Sequence, residues 1–110
     1  MNTRKYSDIQ EKHIAKVTCG RLTPNSGGTK FGGGDVVTDK FLIEAKTTTK
    51  EKTTFGIKKE WMKKAREQAF EQGKDKYALA FQFEPNGDNF YVITERDFCE
   101  YIELLNECKT

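Results

Sequence analysis

The segment from Asp35 to Lys46 constrains this chain more than any other. It reads Asp35-Val36-Val37-Thr38, an Asp39-Lys40 pair, then Phe41-Leu42-Ile43-Glu44-Ala45-Lys46. Side chains on a strand point alternately to its two faces. Leu42, Glu44 and Lys46 therefore share one face, and Phe41, Ile43 and Ala45 the other. A two-residue turn at Asp39-Lys40 would set Asp35 directly opposite Glu44, with Cβ atoms about 5 Å apart. Asp-Lys is a poorer tight-turn pair than Asn-Gly, because a type I′ turn needs positive φ at both positions. A longer loop would move the partner of Glu44 by a residue or two.

Two carboxylates facing each other across a sheet repel, and a divalent cation between them removes that cost. The alternative is plainer: Asp35 ends a loop, and Glu44 pairs with Lys46 or another lysine on a solvated face. The glycine run before Asp35, the alternation, and Thr47-Thr48 after the strand favour a magnesium site. Magnesium takes oxygen ligands and keeps several waters, so two or three carboxylates plus a substrate phosphate suffice. Such an ion polarises a phosphate and activates water, which makes phosphodiester hydrolysis the expected chemistry. Lys46 would orient the attacking water or neutralise charge on the phosphate. The carbonyl of Ala45 would complete the ligand set. Glu11 is a candidate third carboxylate, although its spacing alone is that of a solvated helix glutamate.

With 110 residues the chain is expected to form a single domain spanning 1–110. Charged residues make up 33% and hydrophobic ones 35%, so a thin core and a densely ionic surface are expected. The net charge of +2 is too small to identify a nucleic-acid partner, and the distribution of charge matters more. Cys19, Cys99 and Cys108 form no CxxC pair, which argues against zinc and against a disulfide framework; reduced thiols in the cytoplasm are the simple reading. One histidine, His13, leaves no Ser–His–Asp or Cys–His nucleophile set. No apolar run spans a bilayer, and Met1 to Glu11 is too polar for a signal peptide.

The expected elements follow from periodicity and punctuation. Ser7, with Gln10 as a capping-box partner, starts a helix over Asp8 to Thr18 with Ile9, His13 and Val17 on its stripe and Ile14 beside it. Gly20 stops it. Arg21 to Thr23 forms a short strand, and Pro24 to Gly34 a glycine-dense loop. Strands cover Asp35 to Thr38 and Phe41 to Thr47. A second helix covers Ile57 to Gln72, with Ile57, Trp61, Ala65 and Ala69 as its apolar stripe, Met62 and Phe70 alongside, and Gly73 at its end. Strands over Tyr77 to Phe83 and Phe90 to Thr94 flank a Pro85–Asp88 turn, and Thr94 caps a last helix through Phe98, Ile102 and Leu105. The order α-β-β-β-α-β-β-α describes an α/β fold, a sheet with helices packed on it.

Lys58 and Lys59 fall in the first turn of the second helix, where the macrodipole disfavours cations and where phosphates are favoured. Lys63, Lys64 and Arg66 continue that face, and Lys50 and Lys52 precede it. A solvated face is the alternative; contact with DNA is preferred because the strip follows the carboxylate pair directly. The glycine loop lacks the Gly-Lys-Ser/Thr ending of a P-loop and leads into a strand, so nucleotide binding is excluded. Its Asn25, Ser26, Thr29 and Lys30 suit a flap over a DNA backbone, or a plain flexible loop.

These residues together carry a resemblance. Pro24-Asn25-Ser26-Gly27-Gly28, Gly34-Asp35-Val36, Leu42-Ile43-Glu44-Ala45-Lys46-Thr47-Thr48 and Phe55-Gly56-Ile57-Lys58-Lys59-Glu60-Trp61 are similar to the PD-(D/E)XK nuclease superfamily. Within it, the small Holliday-junction resolvases of archaea, bacteria and bacterial viruses are most alike, over about Ser7 to Phe83. The resemblance implies a restriction-endonuclease-like core, a central mixed β-sheet flanked by helices. It implies magnesium, with manganese as a substitute, and a homodimer nicking branched four-way DNA junctions. It assigns Asp35 and Glu44 as metal ligands, Lys46 as the catalytic lysine, Glu11 as the helix glutamate, Ser26 as the loop serine and Arg21 as a nearby basic residue. DNA contact is expected at Arg21, Lys30, Thr47, Lys58, Lys59 and Lys63. Gly34 stands where the superfamily's name puts a proline. Another nuclease of the superfamily acting on linear DNA, or a non-catalytic DNA-binding module, stays open as an alternative.

Overall fold

Thr38 makes the hairpin that Asp39-Lys40 alone does not favour. In the structure, a computed structural model that describes residues 3–23 and 35–108, its N–H donates to the Phe41 carbonyl at 2.9 Å. Its hydroxyl accepts from the N–H groups of Lys40 at 3.2 Å and Phe41 at 2.9 Å. Among the described residues only Cys19 and Asn86 have positive φ without being glycine, so this turn is not the type I′ form. The hydroxyl holds the turn closed instead. The two strands it joins, β2 (Asp35–Val37) and β3 (Phe41–Lys46), pair antiparallel with Asp35 opposite Glu44, Val36 opposite Ile43 and Val37 opposite Leu42.

Three further strands, β1 (Arg21–Leu22), β4 (Lys76–Phe81) and β5 (Phe90–Val92), complete a mixed sheet in the order β1-β2-β3-β4-β5. Among the described residues only the β3–β4 pair is parallel. That pair needs a long crossover, supplied by α2 (Lys59–Glu71). With α1 (Thr3–Thr18) and α3 (Glu95–Cys108), the element order is the one the sequence predicts.

The sheet has two different faces. Leu42 packs with Ala65 and Ala69 of α2, and Tyr77 borders them. On the other face Val36, Ile43, Ala45, Ala78 and Ala80 pack on Ile14 of α1. By strand alternation, Asp35, Glu44 and Lys46 belong to the α2 side and Ala45 to the α1 side. The three alanines in β3 and β4 keep that second layer thin, and Ile14 is its largest fully buried apolar residue.

Helix α1 departs from its expected start and face. It begins at Thr3, so Ser7 lies inside it and its hydroxyl donates back to the Arg4 carbonyl at 3.1 Å, the pattern of a mid-helix serine. The buried stripe is Gln10 and Ile14, whereas Ile9 and Val17 are 43% and 56% exposed. The burial is rotated by one residue because the Gln10 amide finds two acceptors in the sheet layer. Cys19, in the left-handed region, ends the helix. Gly20 follows for space: a Cβ there would lie 2.9 Å from both Val36 Cγ1 and the Val37 carbonyl oxygen.

Helix α2 begins two residues later than its stripe suggests. Lys58 is its extended N-cap, without a capping side-chain hydrogen bond, and Ile57 stands outside it, 38% exposed. Ala65 and Ala69 are buried as expected, but Phe70 points to solvent. Gly73, at positive φ, closes the helix, with Lys74 N–H returning to the Ala69 carbonyl at 2.8 Å. Strand β4 stops at Phe81 instead of Phe83, because Gln82 turns away to donate its amide to the Gly87 carbonyl at 3.1 Å.

Helix α3 starts at the Thr94 cap, whose hydroxyl accepts from Asp97 N–H at 3.2 Å. Its first two turns are tied to β4 through Lys76, whose ammonium donates to buried Asp97 at 2.9 Å and to Glu100 at 2.7 Å. No helix among the described residues is long and apolar enough to cross a membrane.

Candidate metal and nucleic-acid site

The facing of Asp35 and Glu44 follows from the Thr38 turn and brings two carboxylates to the carboxyl end of β3. Glu44 is 2% exposed. One of its oxygens, Oε2, accepts from the Lys46 ammonium at 3.1 Å, while Oε1 is buried with no hydrogen-bond partner. A buried carboxylate oxygen without a partner is costly. Burial pushes the Asp35 carboxyl up to about 6; Glu44 adds to the rise, and Lys64 and Lys46 oppose it. The pair is thus a desolvated, mutually repelling diacid with one orphaned oxygen.

Lys46 is held between two environments. Its ammonium is bonded to Glu44 and sits 4.5 Å from the centre of the Trp61 ring at the start of α2, a cation–π contact. Lys58 stands over the same ring at 5.6 Å. The indole therefore fixes where the catalytic-lysine candidate points. Behind it, Phe55 lies 6.2 Å from Trp61 and stacks on Phe81 at 4.8 Å, and Phe81 meets Phe83 and Phe90. This aromatic bank seats the extended segment that joins β3 to α2.

From the opposite sheet face, α1 brings Gln10 and Glu11 to the same end of the sheet. The Gln10 amide donates to the Lys46 carbonyl at 3.1 Å and to Asn89 Oδ1 at 3.0 Å, leaving its own Oε1 buried without a partner. Burial pushes Glu11 up to about 7, with Asp8 and then Asp35 adding and Arg4 opposing. Glu11 is thus within the electrostatic reach of Asp35, although the two belong to different faces of the sheet.

Among the described residues, no three His, Cys, Asp or Glu side chains lie close enough to hold a metal ion by themselves. Magnesium is a hard cation that needs few protein oxygens, and two of the expected donors suit it, Asp35 and the facing Glu44 with its orphaned Oε1; the third expected donor is the Ala45 carbonyl. Ala45 can offer only that carbonyl, since its side chain is in the core.

The expected DNA contacts divide. Lys58 is exposed at the N-cap of α2, Lys59 and Lys63 are exposed along the helix, and Arg21 is exposed on β1. Thr47, by contrast, has a buried hydroxyl with no hydrogen-bond partner. Ser26, Lys30 and the rest of the glycine loop lie outside the described residues. Three contributors do not stand out in the sequence: Gln10, Trp61 as the seat of Lys46, and Lys64 as a cation acting on Asp35. Periodicity marks Trp61 only as part of an apolar stripe, and local spacing marks Gln10 only as a cap. The four-residue step from Gln10 to Ile14 is the one signal that points to the first. No family model, curated protein or solved structure matches this chain.

Proposed function

We propose that this chain is a magnesium-dependent DNA endonuclease with a restriction-endonuclease-like core, acting on branched four-way junctions. The observation that carries the reading is the facing of Asp35 and Glu44 across β2 and β3, with Lys46 bonded to Glu44. Asp35, Glu44 and the Ala45 carbonyl would hold the ion. When bound, magnesium polarises the phosphate and makes water a better nucleophile. The chain's own groups do the rest. Lys46, kept in place by Glu44 and Trp61, offers a cation to the charge that grows on the phosphate during attack. Lys58 at the N-cap of α2 and Lys59 and Lys63 on the helix, all exposed, bind the flanking phosphates as point charges. Glu11, within the electrostatic reach of Asp35, adds negative charge at this end of the sheet. Hydrolysis breaks one bridging P–O bond and leaves a nicked strand.

The preference for junctions rests on the resemblance to resolvases, and the substrate test addresses it directly. Labelled four-way junction and linear duplex are incubated with the protein, each with magnesium or with chelator. Paired symmetric nicks in the junction alone support the reading. Equal cutting of linear duplex points to a nicking or restriction-type enzyme. Binding to DNA without magnesium-dependent cutting of either substrate points to a non-catalytic module.

A further inference from the structure

We propose that Gln10 is a positioning residue, which fixes the Lys46 peptide so that the ammonium stays between Glu44 and the Trp61 ring. Helix α1 buries this glutamine to 1% exposure and leaves Ile9 beside it 43% exposed. Transfer free energy favours the opposite choice, because a buried amide is costly unless it is hydrogen-bonded. Here the amide is satisfied on one side only. Its nitrogen donates to the Lys46 carbonyl at 3.1 Å and to Asn89 Oδ1 at 3.0 Å, while Oε1 is buried without a partner. A core position that breaks a local rule in this way marks a functional constraint.

The carbonyl that Gln10 holds lies where β3 is least supported by its neighbours. Lys46 is the last residue of β3, and its pairing with Phe81 is the last of the β3–β4 ladder. On the other edge, among the described residues, the pairing with β2 goes no further than Glu44. Terminal pairs open first, and a lysine carries its charge on a flexible four-carbon stem. An anchored peptide therefore narrows where the ammonium can go. Lys46 is gripped at both ends: its ammonium meets Glu44 and Trp61, and its carbonyl is taken by a side chain from α1.

Gln10 is itself fixed. A side-chain amide nitrogen has two hydrogens, and both are used, so turning the amide over would set Oε1 against the Lys46 carbonyl. Asn89 comes just before β5, and the turn that precedes it is closed on itself. The Gln82 amide donates to the Gly87 carbonyl at 3.1 Å, and Gly87 N–H donates to the Glu84 carbonyl at 3.0 Å. Hydrogen bonds thus run from the β4–β5 turn through Asn89 and Gln10 to Lys46. The kinetic part of this inference rests on the proposed nuclease activity; the placing of Lys46 does not.

Indole emission and steady-state kinetics test it together. Trp61 is the only tryptophan in the chain, so its emission reports the Lys46 ammonium 4.5 Å from the ring, and Lys46→Ala supplies the reference spectrum. Lys58, the other cation over that ring, is left in place. Gln10→Met keeps the length of the side chain and removes both N–H donors. Its emission should move most of the way to that of Lys46→Ala. Its kcat for magnesium-dependent cutting should fall at least about tenfold with KM within about twofold, as when an interaction serves the transition state alone. Asn89→Ala should move both readouts the same way by less, and Asn89→Asp, which keeps the acceptor, should rescue them. Far-ultraviolet circular dichroism checks that each variant folds; if Gln10→Met does not, the two Asn89 variants decide. Parental emission and kcat in Gln10→Met overturn the proposal. So does a lower melting midpoint with emission and kcat unchanged, which leaves Gln10 a purely structural role. If the parent cuts no DNA, the nuclease reading fails, and the emission alone decides whether Gln10 places Lys46.

Discussion

Replacing Asp35 with asparagine separates the stability of this protein from its proposed activity. The Asp35 carboxyl is raised from 3.8 to about 6, first by burial and then by Glu44. A native-state rise means that the folded protein holds this proton more tightly than the unfolded chain. Stability is therefore lost as pH rises from about 4 through about 6 and is constant above that. The difference corresponds to about 3 kcal/mol, which partial solvation reduces to roughly 1–2. Asp35→Asn cannot ionise, so near pH 8 and in chelator it should be the more stable protein. The expected gain is roughly 4–8 °C in midpoint for a chain of this size. Near pH 4 the two proteins should melt together. Magnesium should raise the midpoint of the parent near pH 8, as a ligand of the native state does, and should leave Asp35→Asn unmoved. Thermal unfolding at both pH values, with magnesium and with chelator, supplies all four comparisons. If Asp35→Asn is no more stable near pH 8, burial and Glu44 do not disfavour the Asp35 carboxylate as argued. If it keeps its magnesium response or cuts DNA at the parental rate, Asp35 is not a ligand.

Lys46→Ala should abolish cleavage while leaving DNA binding within about twofold, and the loss of the ammonium 4.5 Å from Trp61 should change indole fluorescence; retained cleavage removes Lys46 from the chemistry. Lys58→Ala with Lys59→Ala should weaken binding to every DNA substrate and lower the salt slope by about 0.9 for each phosphate that is no longer neutralised, measured by titration at several salt concentrations. Gly20→Ala should destabilise by about 1–3 kcal/mol in chemical denaturation, because its methyl would sit 2.9 Å from the Val37 carbonyl oxygen. A neutral result there means that α1 shifts without cost.

The carboxylate pair was legible in the sequence because strand alternation has a strict period of two and a hairpin sets register within a few residues of its turn. The order of elements was legible for a similar reason: Gly73 and the Thr94 cap mark boundaries through local backbone chemistry, whereas Gly20 marks the end of α1 only as the neighbour of Cys19 and is needed for space against β2. Tertiary structure alone decided which flank of each amphipathic helix is covered. Ile9 and Ile14 are equally apolar candidates on α1, and Ile14 is buried because Gln10, one turn before it, meets the Lys46 carbonyl and Asn89. The turn residue Thr38, the Trp61 seat for Lys46 and the outward stripe of α3 likewise depend on partners distant in the chain or on backbone geometry that periodicity does not encode. Local rules place a side chain on a face, and only the packed neighbours determine whether that face meets protein, solvent or another molecule.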